Sequence, residues 1–355
     1  MRKITFSNGD TTATGIDKVN IGNSPVKVTV IGLGAFGTAM AYAASRNGHQ
    51  VVGWVRDAKM AVTINNNHRN PKYFSDIVLP DNISATDNLA EALDGTSLII
   101  HALPCQKTPE WLKANRDLIP PYTLYVLTCK GLYLPTKQLM GHAVYDALGR
   151  DQPMAFLSGP SFAKGILNDD PTALVCAAKN LYHAVAVQKV MNNSKLRVYT
   201  SQDTIGVQLG GALKNPLAVG AGMICASGFG VNTLTAYITR GAAELSKLCV
   251  AMGGEADTIA GLSGIGDLML TCMSSESRNN TCGKRLAEGE TIEDITKNMT
   301  VEGVPTANVA VIYADLCNLE LPIFREIQRI ICGKVNPSDS IPYLMGRDSE
   351  KQYEL

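Results

Sequence analysis

The chain has 355 residues, 45% of them hydrophobic and 18% charged, a composition typical of a globular protein of two domains. Its 32 basic residues balance 32 acidic ones, so no net charge attracts nucleic acid or an anionic membrane, and we expect neither partner. No uninterrupted apolar run approaches the roughly 20 residues that a membrane span needs, because Lys214 breaks the nearest candidate, so we expect no membrane span. Nine cysteines without a C-x-x-C pair and five scattered histidines predict reduced thiols, a cytoplasmic protein and no metal site.

Residues 1–25 are polar and rich in Thr, Asn and Gly, which predicts a flexible N-terminal segment without a signal peptide. Over residues 26–205, short β-rich runs alternate with segments of helical length. The predicted strands are VKVTVIG, QVVGWV, SLIIHAL, TLYVLTC, MAFLSGP, TALVCAA and LRVYTS. Several are continuously apolar, as expected for strands covered on both faces. This alternation predicts an α/β domain built on a doubly wound parallel sheet.

The strand signal ends near Asp203, and we predict a second, all-α domain over residues 206–355. One helical face is marked by apolar residues at intervals of 4, 7, 3 and 4, namely Leu234, Ile238, Leu245, Leu248 and Met252. Thr291 begins a capping-box pattern, which predicts a helix start. Pro322 begins a last predicted helix that ends near Gly333.

A glycine motif, Gly32-x-Gly34-x-x-Gly37, follows the first predicted strand and opens an Ala-rich segment. Alone this spacing is weak, because a turn often contains glycine. Between a strand and a helix, the glycines allow a tight turn, close approach of a pyrophosphate and close packing of helix on strand. The context therefore predicts a dinucleotide site that includes Ala35 and Phe36.

The residues after the second strand bear on the choice of cofactor. An acidic side chain there binds the ribose of NAD, whereas arginine accommodates the 2′-phosphate of NADP. Arg56 is followed by Asp57, so the signal is mixed. Arg56 suggests use of NADPH, although a solvated surface arginine would give the same sequence.

The stretch QLGGALKNPLAVGAGMICASG surrounds Lys214 with small and apolar residues. Loss of hydration lowers the pKa of a lysine unless partners replace the water, and such a lysine serves as a general acid or base. A solvated lysine on a helix is the plainer alternative. The pattern by itself leaves the two readings about equally supported.

Seven motifs occur in order: GLGAFGTAMA, LTCKGL, SGPSFA, ALKNPLAVGAGM, GLSGIGDLMLTC, ESRNNTCGK and VEGVPTA. With them the chain resembles the NAD(P)-dependent glycerol-3-phosphate dehydrogenases from about residue 26 to residue 335, the bacterial-type NAD(P) branch above all. The resemblance implies a Rossmann domain, a helical substrate domain and a homodimer. It also implies interconversion of dihydroxyacetone phosphate and sn-glycerol 3-phosphate, which feeds glycerophospholipid synthesis or glycerol metabolism.

The resemblance implies a role for each matching residue. Lys214 is the expected proton donor and acceptor, with Lys130 and Asp267 as catalytic partners, and the two lysines are expected to lower each other's pKa. The expected substrate-binding residues are Lys130, Lys214, Asn215, Asp267, Thr271, Ser277, Arg278 and Asn279. The expected cofactor-binding residues are Gly32, Gly34, Ala35, Phe36, Gly37, Arg56, Pro104, Lys130, Ala163, Arg278 and Glu302. Phe36 and Cys105 depart mildly from the family pattern.

Two rival readings remain. A 6-phosphogluconate-type dehydrogenase also combines a Rossmann domain, a helical domain and a lysine–asparagine site, but it places those two residues about one helical turn apart. Here Lys214 and Asn215 are adjacent. An NAD(P)-binding sensor without turnover is the alternative outside enzymes.

Overall fold

A computed structural model describes residues 24–347, so the predicted segment over residues 1–25 lies almost entirely outside the described residues. The chain divides into two compact units between Val207 and Gln208. Among the helices of residues 24–347, none combines the length and the apolar character needed to cross a membrane.

The N-terminal unit is built on an eight-stranded sheet of order β10-β9-β8-β5-β4-β1-β2-β3. Its strands are β1 Lys27–Ile31, β2 Gln50–Trp54, β3 Ile83–Thr86, β4 Leu98–His101, β5 Leu124–Leu127, β8 Met154–Ser158, β9 Thr172–Ala177 and β10 Leu196–Ser201. A separate hairpin pairs β6 Leu132–Tyr133 with β7 Gln138–Leu139. All seven predicted strands are confirmed, whereas β3 and the hairpin were not predicted.

The prediction of a parallel sheet is correct for six strands and wrong for two. Six neighbouring strands are parallel to one another, namely β3, β2, β1, β4, β5 and β8. Strand β9 pairs antiparallel with β8, and β10 runs parallel to β9, so the last two strands run opposite to the other six. Residues 159–171 connect β8 to β9, and the only helix in this connection is the five-residue α6 (Ala163–Leu167). The length of this connection is near the minimum of about a dozen residues for a parallel crossover, whereas an antiparallel neighbour needs no return along the sheet.

Helices cover both faces of the sheet, as the doubly wound fold class predicts. Besides α6 they are α1 Ala35–Ser45, α2 Ala58–Asn67, α3 Leu89–Leu93, α4 Thr108–Asn115, α5 Met140–Leu148 and α7 Leu181–Met191. Successive residues of a strand enter opposite cores: Leu98 and Ile100 of β4 belong to one apolar cluster, and Ile99 belongs to the other. Two apolar layers therefore fix the sheet from both sides.

The C-terminal unit is helical throughout its described part, which confirms the predicted all-α domain. Its helices are α8 Thr204–Ala226, which contains the division between the units, α9 Val231–Ala251, α10 Ala256–Ala260, α11 Asp267–Met273, α12 Arg278–Ala287, α13 Ile292–Asn298, α14 Gly303–Leu316, α15 Pro322–Ile331 and α16 Pro337–Met345. The predicted face forms α9, and the hydroxyl of Thr291 caps α13 as predicted. The expectation that the helix from Pro322 is the last one is wrong, because α16 follows it.

Candidate active site

The turn between β1 and α1 gives each glycine of the motif a different environment. Gly32 has a φ of +93°, a conformation that favours glycine. A Cβ on Gly37 would collide with the carbonyl of Gly32, so α1 packs directly on the turn. A Cβ on Gly34 would meet nothing, and α1 begins there without a side-chain cap. Uncapped N–H groups beside open space suit a pyrophosphate, so the turn fits the predicted dinucleotide.

Lys130 lies at the same carboxyl edge of the sheet, just after β5. Its Nζ donates a hydrogen bond of 2.8 Å to the carbonyl oxygen of Gly159, which also accepts from the Ser161 hydroxyl at 3.0 Å. The same Nζ lies 5.7 Å from the ring centroid of Phe36, which follows Ala35 in the first turn of α1. One ammonium group thus contacts the start of α1 and the chain that leaves β8.

The end of β2 separates the roles of Arg56 and Asp57. The carboxylate of Asp57 caps α2 by accepting a hydrogen bond of 3.0 Å from the backbone N–H of Lys59. The side chain of Arg56 is exposed. Asp57 therefore has a structural function as a helix cap, which explains why an acidic residue follows Arg56 at the end of β2.

Pro104 and Ala163 lie on the connections that leave the carboxyl ends of β4 and β8. Pro104 is exposed before a short 3₁₀ turn, and Ala163 is the first residue of α6. Gln106, in that turn, donates to the carbonyl of Leu132 at 2.7 Å and accepts from the N–H of Leu134 at 3.1 Å. Gln106 thus holds the β6–β7 hairpin, while Pro104 and Ala163 stay predicted cofactor contacts.

Lys214 of α8 is buried with two partners from α11. Its Nζ donates to Asp267 Oδ1 at 2.7 Å and to Thr271 Oγ1 at 2.6 Å, and the Thr271 hydroxyl donates to the Asp267 carbonyl at 2.6 Å. Lys214 is 6% exposed and Asp267 is 1% exposed. The lysine in the apolar stretch is therefore one half of a buried ion pair.

Two backbone features bring Asp267 to Lys214. A π-helical turn over Leu262–Gly266 precedes α11, and such turns are frequent at functional sites. Gly210 lies one helical turn before Lys214, and a Cβ there would collide with the carbonyl of Ser263 in the π-helical turn. The absence of a side chain at Gly210 lets the two backbones touch.

A second close contact joins α8 to α12. A Cβ on Gly222 of α8 would collide with the carbonyl of Asn280, and a Cβ on Gly283 of α12 would collide with the carbonyl of Val219. Each helix thus presents a glycine to the backbone of the other. The separation of α8 and α12 is fixed by main-chain atoms.

The start of α12 contains the predicted substrate residues Ser277 and Arg278. The buried Ser277 hydroxyl caps the helix by accepting from the N–H of Asn280 at 3.2 Å, a structural function. Arg278 is the first residue of the helix and is exposed. Asn280, which the sequence analysis missed, is buried and donates to the Cys272 carbonyl at 2.7 Å. The consecutive asparagines at a helix start were a signal for capping and anchoring.

Asn279 connects α12 to α8 and α14. Its Nδ2 donates to Asn215 Oδ1 at 2.9 Å, and its Oδ1 accepts from the N–H of Gly303 at 2.9 Å. Gly303 follows Glu302, the N-cap residue of α14. This arrangement holds Asn215, Asn279 and Glu302 near one another. Their contacts with substrate or cofactor stay predictions, as does the expected proximity of Lys130 and Lys214.

Cys272 lies next to Thr271, and its thiol is one of the reduced thiols that the sequence predicts. It is fully buried, and burial raises the pKa of its thiol to about 12 although the Lys214 charge lowers it. A thiol with that pKa is protonated at neutral pH and is a weak nucleophile.

Comparison with known proteins bears on what these groups do. A family model described as NAD-dependent glycerol-3-phosphate dehydrogenase N-terminus matches residues 27–184, and its C-terminus counterpart matches residues 203–342. A glycerol-3-phosphate dehydrogenase [NAD(P)+] from Oleidesulfovibrio alaskensis is 39% identical over 92% of this chain and 100% of its own length. The chain belongs to the NAD-dependent glycerol-3-phosphate dehydrogenase family. The predicted resemblance is thereby confirmed.

Other members of the glycerol-3-phosphate dehydrogenase family extend the match. The chloroplastic glycerol-3-phosphate dehydrogenase [NAD(+)] 2 of Arabidopsis thaliana is 40% identical over 90% of this chain and 77% of its own length. The crystal structure of glycerol-3-phosphate dehydrogenase from Coxiella burnetii superimposes with a TM-score of 0.84 at 29% identity, covering 91% of this chain and 99% of that one. Family membership favours glycerol-3-phosphate dehydrogenase over the 6-phosphogluconate-type alternative.

Proposed function

We propose that this enzyme interconverts dihydroxyacetone phosphate and sn-glycerol 3-phosphate with NADH or NADPH. The observation that carries the proposal is the buried cluster of Lys214, Asp267 and Thr271, in a chain whose family and glycine turn both indicate a nicotinamide dinucleotide. A buried ion pair is weak support for stability, so its presence here favours a chemical role.

Lys214 supplies the proton in the direction of ketone reduction. A nicotinamide bound at the glycine turn would supply the hydride for the carbonyl carbon of the substrate. The Lys214 ammonium protonates the carbonyl oxygen, becomes a neutral amine and takes a proton back from solvent. Asp267 and Thr271 orient the amine, because each accepts a hydrogen bond from Lys214 Nζ. Lys130 is proposed as the second lysine of the site.

Arg278 is the proposed ligand of the substrate phosphate. It lies in the first turn of the ten-residue helix α12, where backbone N–H groups favour an anion, and its guanidinium provides paired donors for phosphate oxygens. Asn279 and Asn215 support this end of the helix through their mutual hydrogen bond, with Ser277 as its cap.

The carboxyl edge of the sheet holds the cofactor in this proposal. The start of α1 receives the pyrophosphate, and Lys130, Pro104 and Ala163 lie on the connections nearby. Arg56 is exposed at the end of β2, where it can pair with a 2′-phosphate, so we propose that NADPH is used as well as NADH.

The cellular setting is a further part of the proposal. A cytoplasmic location is proposed from the sequence, because nine cysteines, an odd number without a C-x-x-C pair, fit a reducing compartment better than a disulfide framework. A homodimer, and supply of glycerol 3-phosphate to glycerophospholipid synthesis or glycerol metabolism, are proposed from the family resemblance.

Oxidation of NADH and NADPH after addition of dihydroxyacetone phosphate tests the function. Rapid oxidation is expected with this substrate, little with unphosphorylated dihydroxyacetone, and no cofactor reduction with 6-phosphogluconate. Cofactor binding without turnover would instead identify a sensor. Turnover of 6-phosphogluconate would restore the rival dehydrogenase.

A further inference from the structure

The chain that leaves β4 is held by side chains beneath it. Three backbone carbonyl oxygens, that of the last residue of β4 and two just after it, each accept a hydrogen bond: His101 O from Thr128 Oγ1 at 2.9 Å, Leu103 O from Cys129 Sγ at 3.6 Å, and Pro104 O from Thr108 Oγ1 at 3.1 Å. This segment enters the carboxyl edge between β1 and β4, where the strand order reverses and where doubly wound sheets bind ligands.

The bond from Thr108 to the Pro104 carbonyl is the last in a buried chain of hydrogen bonds between side chains. The Tyr125 hydroxyl lies 2.6 Å from His101 Nδ1, and His101 Nε2 lies 2.9 Å from Thr108 Oγ1. Because Thr108 gives its single proton to the Pro104 carbonyl, Nε2 of His101 carries a hydrogen and donates to Thr108. Nδ1 then accepts from Tyr125. Tyr125, His101 and Thr108 thus each donate one hydrogen bond to one acceptor, and all three side chains are fully buried.

The surroundings of His101 and Tyr125 keep both side chains uncharged and fixed in orientation. Burial lowers the pKa of His101 to about 3 and raises the pKa of Tyr125 well above its ordinary value, so neither titrates near neutral pH. The rings of Tyr125 and Trp111 lie 5.5 Å and 5.6 Å from that of His101, and Trp54 lies 5.3 Å from Trp111. A neutral histidine in an aromatic cage has one tautomer and one orientation.

The held segment also forms a wall of the glycine turn. A Cβ on Gly32 would press on Leu103, and a Cβ on Gly37 would press on Ala102. Movement of residues 102–103 would therefore disturb the turn that is proposed to receive the pyrophosphate. Three apolar side chains could fill the same space without the desolvation cost of buried polar groups, so the polar chain gains a defined geometry rather than extra stability.

We infer that Tyr125, His101 and Thr108 are positioning residues that set the place of Pro104 and of residues 102–103 against the bound dinucleotide. None of the three is proposed to touch substrate. The inference rests on the proposed use of NADH and NADPH, and it assigns the geometry of that site to a hydrogen-bonded chain starting inside the sheet.

Thr108→Val tests the inference, because it removes the hydroxyl at nearly constant volume. The matched control is Thr29→Val: Thr29 is fully buried in β1, and its hydroxyl donates to the Ala92 carbonyl at 2.6 Å. Each variant loses a hydroxyl–carbonyl bond and a hydrogen bond to a neighbouring side chain, with Thr96 at 2.9 Å for Thr29 and with His101 at 2.9 Å for Thr108, so we expect similar decreases in Tm. Only Thr108→Val should raise the KM and Kd for NADH and lower kcat, by about 10- to 100-fold, as expected for a small misplacement of the reactants.

A variant that restores the hydroxyl and a double variant complete the experiment. Thr108→Ser, which keeps the hydroxyl, should restore most of kcat, and Tyr125→Phe should lower it from the other end of the chain. The double variant Tyr125→Phe/Thr108→Val should lose little more than the more affected single variant, since both changes break one chain. If Thr108→Val fails to fold, Tyr125→Phe against Thr29→Val decides the question alone.

Two results would overturn the inference. One is an equal kinetic effect of Thr108→Val and Thr29→Val, and the other is additive losses in the double variant. Failure of the proposed function is recognised separately, because the native enzyme would then bind NADH without reducing dihydroxyacetone phosphate. The Kd comparison among the variants would still test the positioning.

Discussion

Replacing Lys214 by methionine separates a catalytic lysine from a structural one, and the structure sets the size of each effect. The apolar neighbours alone would predict that Lys214→Met folds normally. The ion pair reverses that expectation, because Asp267 is 1% exposed and would keep a buried charge without its cation. Breaking a buried pair from one side costs about 3–5 kcal/mol of stability. We therefore expect a markedly lower Tm for Lys214→Met.

A second substitution isolates the chemistry. In Lys214→Met/Asp267→Asn the unpaired charge is removed as well, so most of the lost stability should return. Turnover should stay low, with kcat reduced by about 10²- to 10⁴-fold, the usual contribution of a positioned proton donor. That loss corresponds to about 3–5 kcal/mol in the activation barrier.

Denaturant unfolding and single-turnover hydride transfer on the same preparations measure both quantities. NADH affinity is the control, and it should be nearly unchanged in the double variant. A single variant as stable as the native enzyme would show that the pair is not desolvated. A double variant that transfers hydride at the native rate would remove Lys214 from the mechanism.

Three further predictions concern other parts of the chain. Arg56→Ala should weaken NADPH by about 1.5–3 kcal/mol and leave NADH unchanged, because a charge-assisted bond to the 2′-phosphate is lost; equal losses in titrations of the two cofactors would refute the role of Arg56. Arg278→Lys keeps the charge but loses paired donation, so the KM for dihydroxyacetone phosphate should rise while the Kd for NADH changes less; an unchanged KM would place the phosphate elsewhere. Glu244 is buried and accepts hydrogen bonds from the first N–H groups of α15, and burial raises its pKa to about 7, from 4.5 for an exposed carboxyl. Because the folded state binds this proton more tightly, the contribution of Glu244 to stability is fully present below about pH 4.5 and is lost as the pH rises through about 7. The Tm difference between the native enzyme and Glu244→Gln should therefore change over that range, and parallel Tm curves would contradict it.

The sequence identified most elements of the fold because their apolar patterns are long or continuous. It missed β3 because ISAT has four residues, two of them hydroxylated. It missed α16 because Pro342 lies inside that helix, and proline normally ends one. The direction of β9 could not be predicted from alternation, since the connection before it, residues 159–171, is long enough for either direction.

The candidate site shows the same limit at the level of single residues. The residue types identified the donor and acceptor groups of the candidate site. They did not show which of these groups already form hydrogen bonds within the protein. Ser277 and Asp57 are helix caps, and both amide atoms of Asn279 bind within the protein. The Lys214–Asp267 contact joins residues 53 positions apart, so it depends on helix packing that a linear pattern does not contain.

The reciprocal glycine contacts of α8 and α12 fix the distance between the two helices, and under the proposed function this distance limits the length of the substrate. Lys214 lies on one helix and Arg278 begins the other, so main-chain contact at Gly222 and Gly283 sets the span between the proposed proton donor and the proposed phosphate ligand. Neither helix can slide to admit a longer phosphorylated ketone without separating backbone from backbone. Redesign for such a substrate would have to move the arginine along α12, because substitutions of neighbouring side chains would leave the separation of the two helices unchanged.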